Sequence, residues 1–170
     1  MNVPQQVFVA ALLAAGLGGS AATIRAAHSQ PAPTHDTAGE GKRIFERANC
    51  MGCHKWHGNG GGGYGGDALS LRATELTREQ IIEVVSCGRP GTGMPAFVRD
   101  AYAGYECYGG MTKKDLEDST LAAPKTYLRP ADVASVADYV IASIKGKGEP
   151  TYEQCIAFFG EGSRVCNTYR

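Results

Sequence analysis

The sequence predicts an all-α protein of three or four short helices joined by long loops. Three observations predict it. Apolar residues recur at helical spacing in segments that open with capping signals. No stretch alternates long enough to suggest a strand ladder. Between the helices the chain is irregular, with seven glycines between Gly58 and Gly66. Loops that long are uncommon in a compact domain unless something bulky organises them.

From the N-terminus, Val7 to Leu17 is an uncharged, mostly apolar run that ends in Gly18, Gly19, Ser20, Ala21 and Ala22. That is the pattern of a secretory signal peptide, although Met1 to Gln6 carry no Lys or Arg. Residues 1–27 are expected to be that peptide, cut between 22 and 27; the alternative is an uncleaved anchor over Val7 to Ile24. Residues 28–36 are expected to be a mobile linker containing Pro, Thr and His.

A first helix starts at Thr37, which has capping-box spacing with Glu40, and ends near Asn49. A second runs from a Thr77–Gln80 capping box to Cys87, with Gly88 suited to its C-terminal cap. Gly91 to Tyr108 reads as irregular. Pro130 opens a third helix at its tolerated first position. Its stripe is Val133, Val136, Ala137, Val140, Ile141 and Ile144, closed by Lys145 and Gly146. Thr151 and Gln154 start a short last helix that holds Cys155, Ile156, Phe158 and Phe159. The main domain is therefore 37–148, and 149–170 is a C-terminal extension.

Composition narrows the function. Lys plus Arg and Asp plus Glu each total 17, so the chain lacks the basic excess of a nucleic-acid binder. Arg25 is the one charged residue of 1–27, so its removal leaves 16 basic against 17 acidic residues, a net charge of −1. Hydrophobic residues at 43% are enough for a core. Six cysteines are many for a chain of 170 residues and point to an oxidising compartment, a metal or a cofactor.

Cys50-Met51-Gly52-Cys53-His54 is C-x-x-C-H. Two thiols one helical turn apart can each add to one vinyl group of a haem, and the next residue is then held under the iron. Other readings of the motif explain less. Zinc needs two more ligands, and His57 is too close while Cys87 stands alone. A thioredoxin-type pair needs a βαβ context, and a plain Cys50–Cys53 disulfide explains neither His54 nor the loops. The glycines also match G-x-G-x-x-G at Gly58, Gly60 and Gly63, but no strand precedes them, so a dinucleotide site is not expected.

One covalent haem c, attached through Cys50 and Cys53 with His54 on the iron, is thus the expected cofactor. Its sixth ligand is sought among the methionines. Met51 lies inside the motif, on the wrong side. Met94, in the Arg89 to Phe97 loop 40 residues after His54, is the candidate and Met111 the runner-up; the bland alternative is that both fill core gaps. His28 and His35 read as tail residues and His57 as a surface or hydrogen-bonding histidine.

On these residues the chain resembles the class I c-type cytochromes from Thr37 to Gly146. The matching pieces are Gly41 and Phe45 on the first helix, Cys50 to His54, the glycine loop leading to Leu69 and Leu71, Met94-Pro95-Ala96-Phe97, and Val136 and Tyr139 on the third helix. The resemblance implies a cytochrome c-like fold wrapped around the haem. Its first and last core helices would cross closely at Gly41, with Phe45 against Val136 and Tyr139. Asp67 and Ala68 stand where the family often has Gly-Pro, so the carbonyl that orients His54 is not named by the resemblance. The long ligand-side loop, extra cysteines and Cys-bearing tail look like periplasmic cytochromes that serve quinoprotein (PQQ) alcohol dehydrogenases.

Cys87, Cys107, Cys155 and Cys166 allow three pairings. The expected one is local, Cys87–Cys107 and Cys155–Cys166. The expected role is a non-enzymatic periplasmic electron carrier between a dehydrogenase and a terminal oxidase or other cytochrome, without stable membrane insertion. The alternatives are a cytochrome subunit fixed on a dehydrogenase, or a haem peroxidase or sensor with a labile sixth ligand. Ala96, Phe97 and Gly91 to Gly93 are expected on the rim of the exposed haem edge, ringed by Lys55, Arg72, Arg89 and Arg99.

Overall fold

Helix α1 spans Thr37–Arg47 and buries Ile44 and Phe45, with Ala48 just past its end. The computed structural model describes residues 37–62, 68–117 and 119–170. The signal-peptide and linker readings therefore lie outside the described residues, as do Gly63 to Asp67. After α1 the chain does not run on into the cysteine motif. Asn49 turns into the left-handed region at φ 61°, and Cys50–His54 then forms a separate one-turn helix, α2.

Helix α3 is Arg78–Cys87, and its Thr77–Gln80 capping box is formed in both directions. Helix α4 is Pro130–Tyr139 and continues as a π-helical turn over Val140–Ile144, where the Lys145 N–H donates to the Val140 carbonyl at 2.8 Å. Val133, Val136, Ala137, Val140 and Ile144 of the expected stripe are buried, whereas Ile141 faces outward. Helix α5 is Tyr152–Phe159, and short 3₁₀ turns cover Lys113–Leu116 and Arg164–Tyr169. The described residues form no strand; they hold two isolated bridges, Ala101 with Tyr105 and Cys107 with Met111. The all-α architecture expected from a cytochrome c-like fold is present.

The α1–α4 pair is the centre of the core. Phe45 and Tyr139 meet with ring centroids 5.6 Å apart, and Val136 is buried in the same cluster. The helices approach at Gly41. A Cβ there would fall on the Ser135 carbonyl oxygen and lie 2.5 Å from Tyr139 Cβ.

The C-terminal segment is tied into this same core. Cys155, Phe158 and Cys166 are buried in it, and the Cys155–Cys166 disulfide closes the segment with Cα atoms 5.5 Å apart. Trp56 supplies the receiving surface. Its ring meets Phe158, Phe159 and Tyr169, and its indole N–H donates to the Tyr169 hydroxyl at 3.3 Å. Lys42 on α1 donates to the carbonyl of Phe158 at the end of α5, where the helix dipole favours a cation. Arg72 completes the join by donating to the carbonyls of His57 and Gly148 and to Gln154 Oε1, at 2.6, 2.5 and 2.6 Å. It is 8% exposed, so the expectation that it rings a docking surface is corrected: its charge is spent inside.

Asp132 sits in the first turn of α4. The Arg129 guanidinium bonds it, and the Arg129 N–H and Arg47 of α1 add to the effect, so its carboxyl is held below the usual carboxylate range. A carboxylate depressed in the folded state contributes stability above its unfolded pKa and loses it as pH falls through the folded one. The melting temperature should therefore drop on acidification below about pH 4, the ordinary Asp range. Asp132→Asn should flatten that drop; an unchanged acid limb in the variant would remove Asp132 from the account.

Candidate functional site

The site is built outward from α2. Its two cysteines are free thiols, whereas the other four cysteines pair as Cys87–Cys107 and Cys155–Cys166. The local pairing expected from sequence is thus present. Cys87, the one further cysteine weighed as a zinc ligand, is committed to Cys107. Burial pushes the Cys50 thiol up to about 12, against its backbone hydrogen bond and with a further push from Cys53. A reactive redox pair needs a depressed thiol, the opposite shift.

His54 ends α2 and is oriented by one contact. Its Nδ1 lies 3.1 Å from the Leu69 carbonyl oxygen. A carbonyl can only accept, so Nδ1 carries the proton and Nε2 keeps its lone pair for a metal. Burial lowers the His54 pKa, the Leu69 bond opposes this, and Arg89 lowers it further. The imidazole is therefore neutral near pH 7, as a ligand must be.

The glycine loop brings Leu69 there. Gly60 N–H donates to the His54 carbonyl at 3.2 Å, Gly61 N–H to Ala68 at 3.0 Å, and Leu71 N–H to Gly58 at 2.6 Å. These bonds fold the loop back along α2. Sequence reasoning missed the Leu69 carbonyl because a main-chain acceptor leaves no side-chain signal. It missed the left-handed Asn49 and the part played by Trp56 as well.

Met94 arrives on a strap laid over the end of α3. Phe97 N–H donates to Val85 and Val98 N–H to Ser86, both at 3.1 Å, and Arg89 N–H to the Met94 carbonyl at 3.0 Å. Met94 is partly buried and packs against the main core, as do Cys50, Met51, Leu71, Leu76, Ile82 and Val98. Met111 packs elsewhere, in a second cluster built on Cys87, Cys107, Tyr102 and Leu116. The structure therefore sets Met94 against the core that also carries Cys50, and Met111 away from it.

Two rim expectations need correction. Ala96 and Phe97 are 7% and 3% exposed, so they are core residues that anchor the strap. The exposed part of the strap is Arg89, Gly91 and Thr92, with Lys55 and Arg99 also exposed. Arg99 lies over the Tyr127 ring at 4.4 Å. Leu69, beside the His54 contact, is 72% exposed.

Two thiols at one-turn spacing, a neutral imidazole with a free Nε2, and an apolar wall carrying a thioether fit the donor set of a covalently bound haem. A c-type cytochrome is built from such parts. Residues 36–113 match the family described as Cytochrome C oxidase, cbb3-type, subunit III, which is a c-type cytochrome family. The match takes in Cys50 to His54, Cys87, Met94 and Cys107 and stops before α4. It supports class I c-type cytochrome character, haem c and haem-based electron transfer, and it carries nothing on a quinoprotein partner. No curated protein and no solved structure matches the chain.

Proposed function

We propose that this protein is an exported, non-enzymatic mono-haem electron carrier. Cys50 and Cys53 would hold the haem by thioether bonds, and His54 and Met94 would supply the ligands to its iron. The observation that carries this is the Leu69 carbonyl on His54 Nδ1, which fixes the tautomer that a proximal ligand requires. When bound, the haem supplies a one-electron couple. The chain's own residues, His54 and Met94, would both ligate the iron, and the core around Cys50 and Met94 would keep the cofactor in an apolar setting. A filled iron offers no place for a substrate, so the reading is outer-sphere transfer rather than peroxidase chemistry.

By the resemblance of its loop and tail, the donor is a periplasmic dehydrogenase, and a quinoprotein alcohol dehydrogenase fits. The acceptor is a terminal oxidase or another cytochrome. The family description favours a second reading, a cytochrome held permanently on a larger redox complex. No helix among the described residues is long and apolar enough to cross a membrane. With a net charge near −1 for residues 28–170, long-range steering is small and docking rests on local groups such as Lys55, Arg89 and Arg99.

The first test is denaturing mass spectrometry of the exported protein. It should give the chain plus one haem that acid and organic solvent do not extract, and Cys53→Ala should lose normal double attachment. A colourless or extractable product would refute the cofactor. The second is stopped-flow reduction by candidate dehydrogenases over a range of salt. Fast reduction with a mild salt dependence supports the carrier, whereas a complex that survives gel filtration selects the fixed subunit.

A further inference from the structure

We infer that Tyr108 is a positioning residue for the sixth ligand, pinning the Gly88 corner from which the Met94 strap departs. The inference rests on Met94 being that ligand. Four observations carry it. The Tyr108 hydroxyl donates to the Gly88 carbonyl at 2.5 Å. The Tyr108 N–H donates to Glu83 Oε1 at 2.9 Å, so both ends of the residue are fastened to the last turns of α3. The preceding residue, Cys107, is joined to Cys87, the residue before Gly88. And Tyr108 sits at φ 47°, a left-handed backbone that a bulky residue adopts only when its surroundings impose it.

Gly88 is the corner through which this hold reaches Met94. Its own φ is 68°, and the strap crosses directly over its Cα. A Cβ there would lie 2.6 Å from Ala96 N and the Pro95 carbonyl carbon, and 2.8 Å from the Met94 carbonyl oxygen. The next residue, Arg89, donates its N–H to that same Met94 carbonyl. A shift of the Gly88 peptide therefore moves Met94 through backbone contacts, with no flexible side chain between to absorb it.

The outer part of the strap is held by the Gly91 N–H, which donates to the Thr120 carbonyl at 3.1 Å, and on its other side it borders open space. Arg89, Pro90 and Thr92 border a cleft of about 460 Å³ whose other walls include Leu76, Val84 and Tyr108. On the cleft side, Tyr108 reaches from the cleft wall to the Gly88 corner. Burial raises the Tyr108 pKa, with Arg89 opposing, so the hydroxyl stays a donor across the neutral range.

The test uses the full-chain ferric holoprotein, with imidazole as a competing iron ligand. An iron closed by Met94 binds imidazole only in the fraction of molecules whose strap is open, so apparent affinity reports that fraction. Tyr108→Phe keeps the ring and removes the bond to Gly88. It should raise imidazole affinity about five- to tenfold, the scale set by the loss of one hydrogen bond. Tyr152→Phe, whose hydroxyl accepts from Arg170, should leave it unchanged. The Arg89 amide should lose hydrogen-exchange protection by a similar factor in Tyr108→Phe.

Should Tyr108→Phe not accumulate, Glu83→Ala removes the other fastening and should act in the same direction. Wild-type imidazole affinity and Arg89 protection in the folded variant would overturn the inference. A wild-type protein without a thioether–iron band, unaffected by Met94→Ala, would overturn Met94 ligation itself and the inference with it. The spectrum alone tells those two failures apart.

Discussion

Met94→Ala is expected to abolish the thioether–iron charge-transfer band of the ferric protein and to lower its reduction potential by on the order of 100 mV or more. Axial ligands and their surroundings set haem potentials over about 0.8 V, and a thioether raises the potential by favouring ferrous iron. Loss of the Met94 thioether is therefore a large change. The strap should survive it, because the bonds of Phe97 to Val85, Val98 to Ser86 and Arg89 to residue 94 are all made by the main chain. The variant should remain folded with an open iron, and peroxide turnover should rise. Met111→Ala is the control. Met111 belongs to the cluster behind the Cys87–Cys107 disulfide, so its truncation should cost stability and leave the band in place. The opposite pattern, with the band lost in Met111→Ala and kept in Met94→Ala, would transfer the ligand role.

How much of this was legible in the sequence depended on the range of the interactions. Local ones were. The Thr77–Gln80 box, Gly88 as the α3 cap, Pro130 at the start of α4 and Thr151 capping α5 each depend on residues within four positions, and each is formed. Both disulfides were readable for a related reason, since they span 20 and 11 residues and the closer partners meet first.

Residues whose partners come from far along the chain were misread. Arg72 looked like a surface cation, but its acceptors lie 15, 76 and 82 residues away. Ala96 and Phe97 were expected on the rim of the haem edge because nothing local shows that the strap lies down on α3. Asn49 looked like the end of a helix and proved to be the hinge between two. The His54 partner was hidden for a further reason. Any carbonyl of the 58–71 loop could have served, and loop closure rather than residue identity selected Leu69.

Gly41→Ala should be strongly destabilising, although it adds a single methyl group. On an isolated helix the same change would help by about 1 kcal/mol, since Gly is the poorer helix former. Here the added Cβ falls on the Ser135 carbonyl oxygen and comes within 2.5 Å of Tyr139 Cβ. One obstacle is backbone and the other is the root of a buried side chain, so no rotamer change relieves either. The helices must separate, and overpacking of this kind costs about 1–3 kcal/mol, occasionally more. A net loss of about 2 kcal/mol should lower the melting temperature by about 5–10 °C for a domain of this size.

Glu46→Ala, at an exposed position five residues further along α1, should change it little. The displacement should also reach the haem site, because α1 ends at Arg47 and the attachment helix begins at Cys50. Moving α1 away from α4 shifts Cys50 and His54 relative to Leu69, so the yield of doubly attached haem should fall together with the melting temperature. A Gly41→Ala protein as stable as the wild type would mean that the two helices do not approach as closely in solution as Ser135 and Tyr139 require.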